Sequence, residues 1–324
     1  MKRDKLTFLI AELILIVLAA FFIHKIFQED VAQKRVAVIL QNSGDTRWEG
    51  VINGLKQSAK TNNLHLIICN TDDIVSAQDE RELIEEQLEN DVDAFILCPA
   101  PGADTKEMLD WLGEQKKPFV LLTEDVYTGE QPEASGYATV KPDNYQIGYT
   151  LGTQLITQDE DGLKGKRIGV IAGRSKTEAS VNRIQGLKDA LEKQDCEIAW
   201  EYNEESDTDI CAVVYAQESV DYILVMDTQA LDTLGEHAEN GVYKDAKIFG
   251  VGTSMKSIAL LDAGQVQCLV IPDGYGIGYE SVEEIEKELT RTFYTLKSHE
   301  KEVKVIYKED LFSDEIERFL YSYE

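Results

Sequence analysis

Read for its alternation of apolar and polar positions, the chain shows one unit repeated. Val36–Leu40 is an unbroken apolar run, the signature of a strand buried on both faces. A polar loop, Gln41 to Arg47, follows it. Trp48, Val51, Ile52 and Leu55 then recur at helical spacing. The same strand–loop–helix rhythm predicts strands at Leu64–Cys69, Ala94–Cys98, Phe119–Leu122 and Tyr137–Val140, with helices at Ala77–Leu88 and Thr105–Gln115 between them. It restarts after Asp143, a good cap for a helix over Tyr145–Ile156, in which Gly148 and Gly152 permit close approach to a neighbour.

The second round predicts strands at Arg167–Ala172, Glu197–Trp200, Tyr222–Met226, Lys247–Val251, Val266–Ile271 and Val303–Tyr307. Helices are expected at Thr177–Lys193, Thr228–Glu239, Ser254–Asp262, Gly276–Leu296 and Asp314–Tyr321. Strands of four to six residues alternating with longer helices imply an α/β fold of two Rossmann-like lobes with parallel sheets, and ligands gather beyond the carboxyl ends of such strands.

Leu6–Ile23 breaks the rhythm. It is apolar except for Thr7 and Glu12, and as a helix it would be roughly 27 Å long, close to the hydrocarbon thickness of a bilayer. No small-x-small cleavage site follows, so the expectation is an uncleaved transmembrane signal anchor. Lys2, Arg3 and Lys5 before it would keep the amino terminus cytoplasmic and place the remainder outside a single-pass span. Glu12 costs on the order of 2.5–3.5 kcal/mol at mid-span and less near an end. It fits either snorkelling near the inner interface or contact with a partner helix.

Composition adds constraints. The 324 residues carry net charge −28, and residues 1–27 alone are +2. So acidic a surface repels phosphate backbones, which argues against nucleic acid as a partner. Five cysteines lack paired spacing; Cys196 and Cys211 could pair, but the odd count favours free thiols and no metal or cofactor site is suggested. Neither GxSxG, HExxH nor a Walker pattern occurs, and no histidine ends a predicted strand, so an enzyme is not expected.

Several markers follow one another in a recognisable order: the opening unit ending in Gly54-Leu55, Phe95–Pro99 before a helix, Pro118–Thr123, Pro142-Asp143-Asn144 with Gly148, and Arg183–Gly186 after IAGRS. Tyr222–Asp227, Lys247–Gly252 and Val266–Pro272 continue the order. The chain from Arg35 to Glu309 thus resembles the type I periplasmic solute-binding proteins, especially the ribose- and galactose-binding branch. The same fold forms the ligand-binding part of lac-repressor-type regulators, but a membrane span stands where a basic helix-turn-helix would be needed. The resemblance implies lobes at 35–139 plus 273–300 and at 140–272 plus 301–324, after residues 1–34 as cytoplasmic tip, anchor and tether. The lobes would close on a small molecule by hinge bending.

Carried over by position, the implied ligand contacts are Gln41, Asp45, Arg47 and Trp48 in the first loop, Thr123 and Glu124 after the fourth strand, and Arg183, Asp227 and Asp273. Trp48 fits either a stacking face or a core position, Asp45 a contact or a helix cap, and Arg183 a cleft or a surface arginine. Four departures stand out: Arg47 replaces an aromatic ring, Thr123-Glu124-Asp125 stands where an Asp-Arg or similar pair is usual and so removes a cation, Gly252 replaces an aspartate and Pro272 a glutamine. The implied ligand is a carbohydrate, with an amine or amino acid, or a degenerate cleft in a ligand-responsive sensor, as the alternatives. The implied partners are an ABC permease or a membrane-bound sensor histidine kinase.

Overall fold

The computed structural model describes residues 12–19, 33–72, 74–129, 134–159, 162–204, 209–238, 243 and 245–321. The chain divides into two compact units, Met1–Lys34 and Arg35–Glu324. In the first, residues 12–19 are helical and Leu13 to Leu18 are exposed apolar side chains. No helix among the described residues is long and apolar enough to cross a membrane. Most of the expected transmembrane span Leu6–Ile23 lies outside the described residues.

The second unit holds two six-stranded sheets. The first half of the chain supplies β1 (Arg35–Ile39), α1 (Glu49–Thr61), β2 (His65–Ile68), α2 (Ala77–Glu89), β3 (Ala94–Leu97), α3 (Thr105–Glu114), β4 (Phe119–Leu122) and β5 (Thr139–Pro142). The second half supplies α4 (Asn144–Gln158), β6 (Arg167–Arg174), α5 (Glu178–Leu191), β7 (Glu197–Glu204), α6 (Ile210–Ala216), β8 (Tyr222–Val225), α7 (Thr228–Ala238), β9 (Lys247–Val251), α8 (Met255–Ala263) and β10 (Cys268–Pro272). After α9 (Gly274–Thr290) the chain ends with β11 (His299–Lys301), β12 (Val303–Ile306) and α10 (Asp314–Tyr321). The strand orders are β11-β5-β4-β3-β1-β2 and β12-β10-β9-β8-β6-β7, the same arrangement twice. Every pairing is parallel except β10 with β12. The central strands are buried throughout, as their continuous apolar runs require: β3 and β8 expose no position.

The chain changes lobe at β5, at β10 and between β11 and β12. β5 lies in the first sheet, yet α4 after it packs into the second lobe through Ile147, Leu151 and Leu155. β10 lies in the second sheet, yet α9 packs into the first through Ile277, Val282 and Ile285. Both exchanges carry one sequence, Pro142-Asp-Asn-Tyr-Gln-Ile-Gly-Tyr149 and Pro272-Asp-Gly-Tyr-Gly-Ile-Gly-Tyr279. Asp143 and Asp273 cap their helices by accepting from the backbone N–H three residues on. The glycines permit backbone contact between helices. A Cβ on Gly148 would sit 1.7 Å from Arg183 O, and one on Gly54 would sit 2.1 Å from Tyr275 O.

Some element boundaries differ from the pattern reading. The helix expected over Gly276–Leu296 spans Gly274–Thr290 instead, because Arg291 turns to extended backbone at φ −102°, ψ 128° and Phe293 beyond it takes φ 65°. The apolar positions Phe293, Tyr294 and Leu296 mimic helical spacing beyond the real end. Helix α6 had no counterpart in the pattern reading; Asp209 starts it by accepting from the N–H groups of Cys211 and Ala212.

The helix crossings generate a prediction. Gly148→Ala and Gly54→Ala should each lower unfolding free energy by roughly 2 kcal/mol or more, since overpacking outweighs the ~1 kcal/mol that alanine gains within a helix. Gly113→Ala in α3, where a Cβ meets nothing within 4 Å, should instead raise it by about 0.5–1 kcal/mol. Urea unfolding of the three variants measures both signs.

Candidate functional site

A cavity of about 490 Å³ lies between the lobes. It sits beyond the carboxyl ends of β1, β3, β6 and β8, the switch points of the two sheets. Since all four strands run parallel within their sheets, each delivers its following loop to this space.

In the first lobe Gln41 follows β1 and is buried; its Nε2 donates to Pro99 O at 2.8 Å, tying that loop to the loop after β3. Trp48 is 5% exposed and its Nε1 donates to Gln41 O at 2.9 Å. The Arg47 guanidinium lies over the Trp48 ring, 4.9 Å from its centroid. Thr123 after β4 holds φ 68°, a conformation of high strain for a β-branched residue and one of the kind found at functional sites.

The second lobe reaches across. Arg174 Nη1, at the end of β6, donates to Gln41 Oε1 and to Ile74 O, both at 3.0 Å. Ala179 N donates to Glu124 at 3.1 Å, Asp125 N to Glu178 at 3.2 Å, and Thr253 Oγ1 to Arg47 O at 3.3 Å. Arg47 and Asp227 form a long ion pair at 3.8 Å. Arg183, on α5, donates from Nε to Asn144 Oδ1 and from Nη1 to Met226 O.

Burial controls the charges. It pushes the Glu124 carboxyl up to about 7, against the Ala179 N–H, which favours the ionised form. Burial also pulls the Arg183 guanidinium below its ordinary value, and the more distant Glu124, Asp227 and Glu178 only partly offset this. For Arg47 burial again lowers it most, but the surrounding negative groups, Asp227 and Asp45 foremost, together outweigh that and raise it. Behind the cavity Glu80 is wholly buried, accepts from Ala100 N at 2.8 Å and is pushed up to about 8 by burial.

Gln41, Arg47, Trp48, Thr123, Glu124, Arg183, Asp227 and Asp273 all line the cavity. Asp45 is not among its lining residues: its carboxylate accepts from Arg47 N at 2.8 Å and caps a 3-10 turn over Thr46–Trp48. Sequence reasoning passed over Arg174, Thr253, Tyr275 and Phe319. Arg174 and Thr253 were findable as polar residues just past apolar strands. Phe319 comes from the terminal helix α10, and no local signal places that helix at the cleft. Gly252 is not among the lining residues, and a Cβ there would come within 2.6 Å of Ser257 Cβ; Thr253 beside it does line the cavity.

Among the described residues, Glu280, Glu284 and His299 form a cluster of metal-ligand type. Lys287 at 2.9 Å from Glu284 and Lys301 at 3.1 Å from Glu280 already neutralise it. Burial pushes the Glu284 carboxyl up, but Lys287, Lys297 N–H, Tyr294 and His299 outweigh it and hold it at about 2. The arrangement is an ion-pair knot that fastens the β11 segment to α9.

Residues 36–290 match the family model of the periplasmic binding protein domain. No curated protein sequence matches the chain. Among solved structures, it is similar to GanP, a glucose-galactose binding protein from Geobacillus stearothermophilus, with TM-score 0.73 at 18% identity over 87% of this chain and 99% of that one. An ABC transporter solute-binding protein from Agrobacterium vitis with bound D-fucose gives 0.78 at 18% identity, covering 89% and 100%. The XylFII–LytSN complex gives 0.72 at 15% identity, covering 86% and 99%. At such identities these likenesses speak to fold.

Glu80 sets a pH dependence. Its carboxyl is protonated in the folded protein up to about pH 8 but only to its ordinary 4.5 when unfolded, so the native state holds the extra proton in between. Unfolding free energy should fall as pH rises through that window, and Glu80→Gln should flatten much of the fall. Urea unfolding at about pH 5 and about pH 8.5 checks it.

Proposed function

Because the chain belongs to the periplasmic binding protein domain family, a family of binding proteins and not of enzymes, we propose that it is an extracytoplasmic solute-binding protein that closes two lobes on a carbohydrate. The observation carrying this reading is the interlobe cavity, lined by side chains from both jaws, Arg47, Arg183, Glu124 and Asp227 among them. Paired guanidinium and carboxyl groups suit a polyhydroxylated ligand, which accepts from one and donates to the other. A volume near 490 Å³ falls in the usual range of small-molecule sites.

The apolar segment Leu6–Ile23 supports attachment to the cell membrane as a single-pass protein with the binding unit outside. Occupancy would then be passed to a membrane partner, either an ABC permease or a sensor histidine kinase. That one structural neighbour is an ABC transporter component and another is a complex with a second protein gives both outputs support. Cross-linking in native membranes, followed by identification of the captured chain, separates them.

A thermal-shift screen of the full chain against sugars and polyols tests the binding reading. A ligand at 100 times its dissociation constant adds about 2.7 kcal/mol, or roughly 4 °C at this size. Arg183→Ala and Asp227→Asn should each remove most of the shift; the asparagine retains the helix cap that Asp227 makes to Gln229 N and Ala230 N. Amines or amino acids that shift the protein when no sugar does would overturn the carbohydrate assignment.

A further inference from the structure

The charges of the cleft do not match those of the molecule. In a chain of net charge −28, the cavity is lined by Arg47, Arg174 and Arg183 against Glu124, Asp227 and Asp273. The carboxylates are already committed. Asp227 accepts from two backbone N–H groups at the start of α7, and Asp273 accepts from Gly276 N at the start of α9. Glu124 accepts from Ala179 N and is held back from ionising by burial.

Two of the guanidiniums are not satisfied in the same way. Arg183 sits deep and bonds only neutral oxygens, Asn144 Oδ1 at 3.0 Å and Met226 O at 2.6 Å. No carboxylate among the described residues forms an ion pair with it. Arg47 donates from Nη2 to Gln41 O at 3.3 Å and makes long ion pairs at 3.8 Å, Nε with Asp45 and Nη1 with Asp227, but its buried Nε has no hydrogen-bond partner. A desolvated cation gains most from an anion that completes its hydrogen bonds, and a guanidinium fork suits carboxylate or phosphate oxygens. Arg47 also lies over the Trp48 ring, which sets a cation beside the indole in this part of the cleft.

We propose that the preferred ligand is an anionic carbohydrate, a sugar acid or a sugar phosphate, whose acidic oxygens are held by Arg183 and Arg47 in the cleft. This deepens the carbohydrate reading above and rests on it. The hydroxyls would meet Gln41, Asp227 and Thr253, and the carbon skeleton would lie toward Ile271, Tyr275 and Phe319.

Calorimetric titration of the full chain in detergent micelles tests this, with D-gluconate, D-glucuronate and D-glucose 6-phosphate against D-glucose, and with acetate and inorganic phosphate alone. At least one anionic sugar should bind tenfold or more tighter than glucose, and the carboxylate and phosphate arms show which anion is meant. Raising sodium chloride from about 20 to about 300 mM should weaken the anionic sugar and leave glucose unchanged. Arg183→Gln should erase the preference while Arg183→Lys keeps part of it, each with a wild-type urea midpoint. Glucose binding as tightly as its acids and phosphate would overturn the proposal and leave the carbohydrate reading standing. Acetate or phosphate alone matching the sugars would also overturn it. Binding by no saccharide, charged or neutral, would sink the carbohydrate reading as well.

Discussion

Strand polarity is the constraint on which the rest of this structure depends. In each sheet the core strands run parallel, so every polar loop that follows a strand emerges at the same edge. Two such edges facing one another make a cleft whose walls need no dedicated architecture. The repeated strand order places β1 and β3 opposite β6 and β8, and the chemistry gathers at those four ends. What is individual to this chain is confined to a few residues in the loops.

Those residues alter the cleft in a consistent direction. Arg47 lies over the Trp48 ring and sets a cation beside the indole. Arg174 links the jaws through Gln41 and the backbone of Ile74. Glu124 is buried enough to hold its proton near neutrality while it receives an N–H from the opposite lobe. The closed arrangement is thus bridged by the protein's own polar groups. A ligand must fit among those bridges or displace some of them.

Much of the fold was legible from the sequence because buried parallel strands leave an unbroken apolar run, and β3, β4 and β8 are such runs. Asp143 as a cap and Gly148 as a close-approach glycine were legible because each effect is local. The end of α9 was not, since Arg291 leaves the helix without a glycine or proline and the apolar spacing beyond it stays intact. Asp45 shows the limit of reading by position: it stands in the right loop but spends its carboxylate on the turn that aims Arg47. Phe319 illustrates the opposite case, a site residue brought from the far end of the chain by tertiary packing alone. The duplicated Pro-Asp-x-Tyr-x-Ile-Gly-Tyr, plain once the two exchanges are aligned, was present in the sequence and carried the architecture's symmetry.

The exchanged helices have a consequence for biogenesis. The groove that Gly54 leaves on α1 is filled by the backbone of Tyr275 and Tyr279 in α9, from more than two hundred residues downstream. At a synthesis rate of ~5–20 residues per second, the amino-terminal lobe waits on the order of ten seconds or longer for its last helix. During that interval Val51 and Leu55 have no lid, and the nascent chain has an uncovered apolar face. Completion of the first lobe is therefore gated by emergence of nearly the whole polypeptide, so that any truncation before Thr290 leaves both halves of the clamp unfinished.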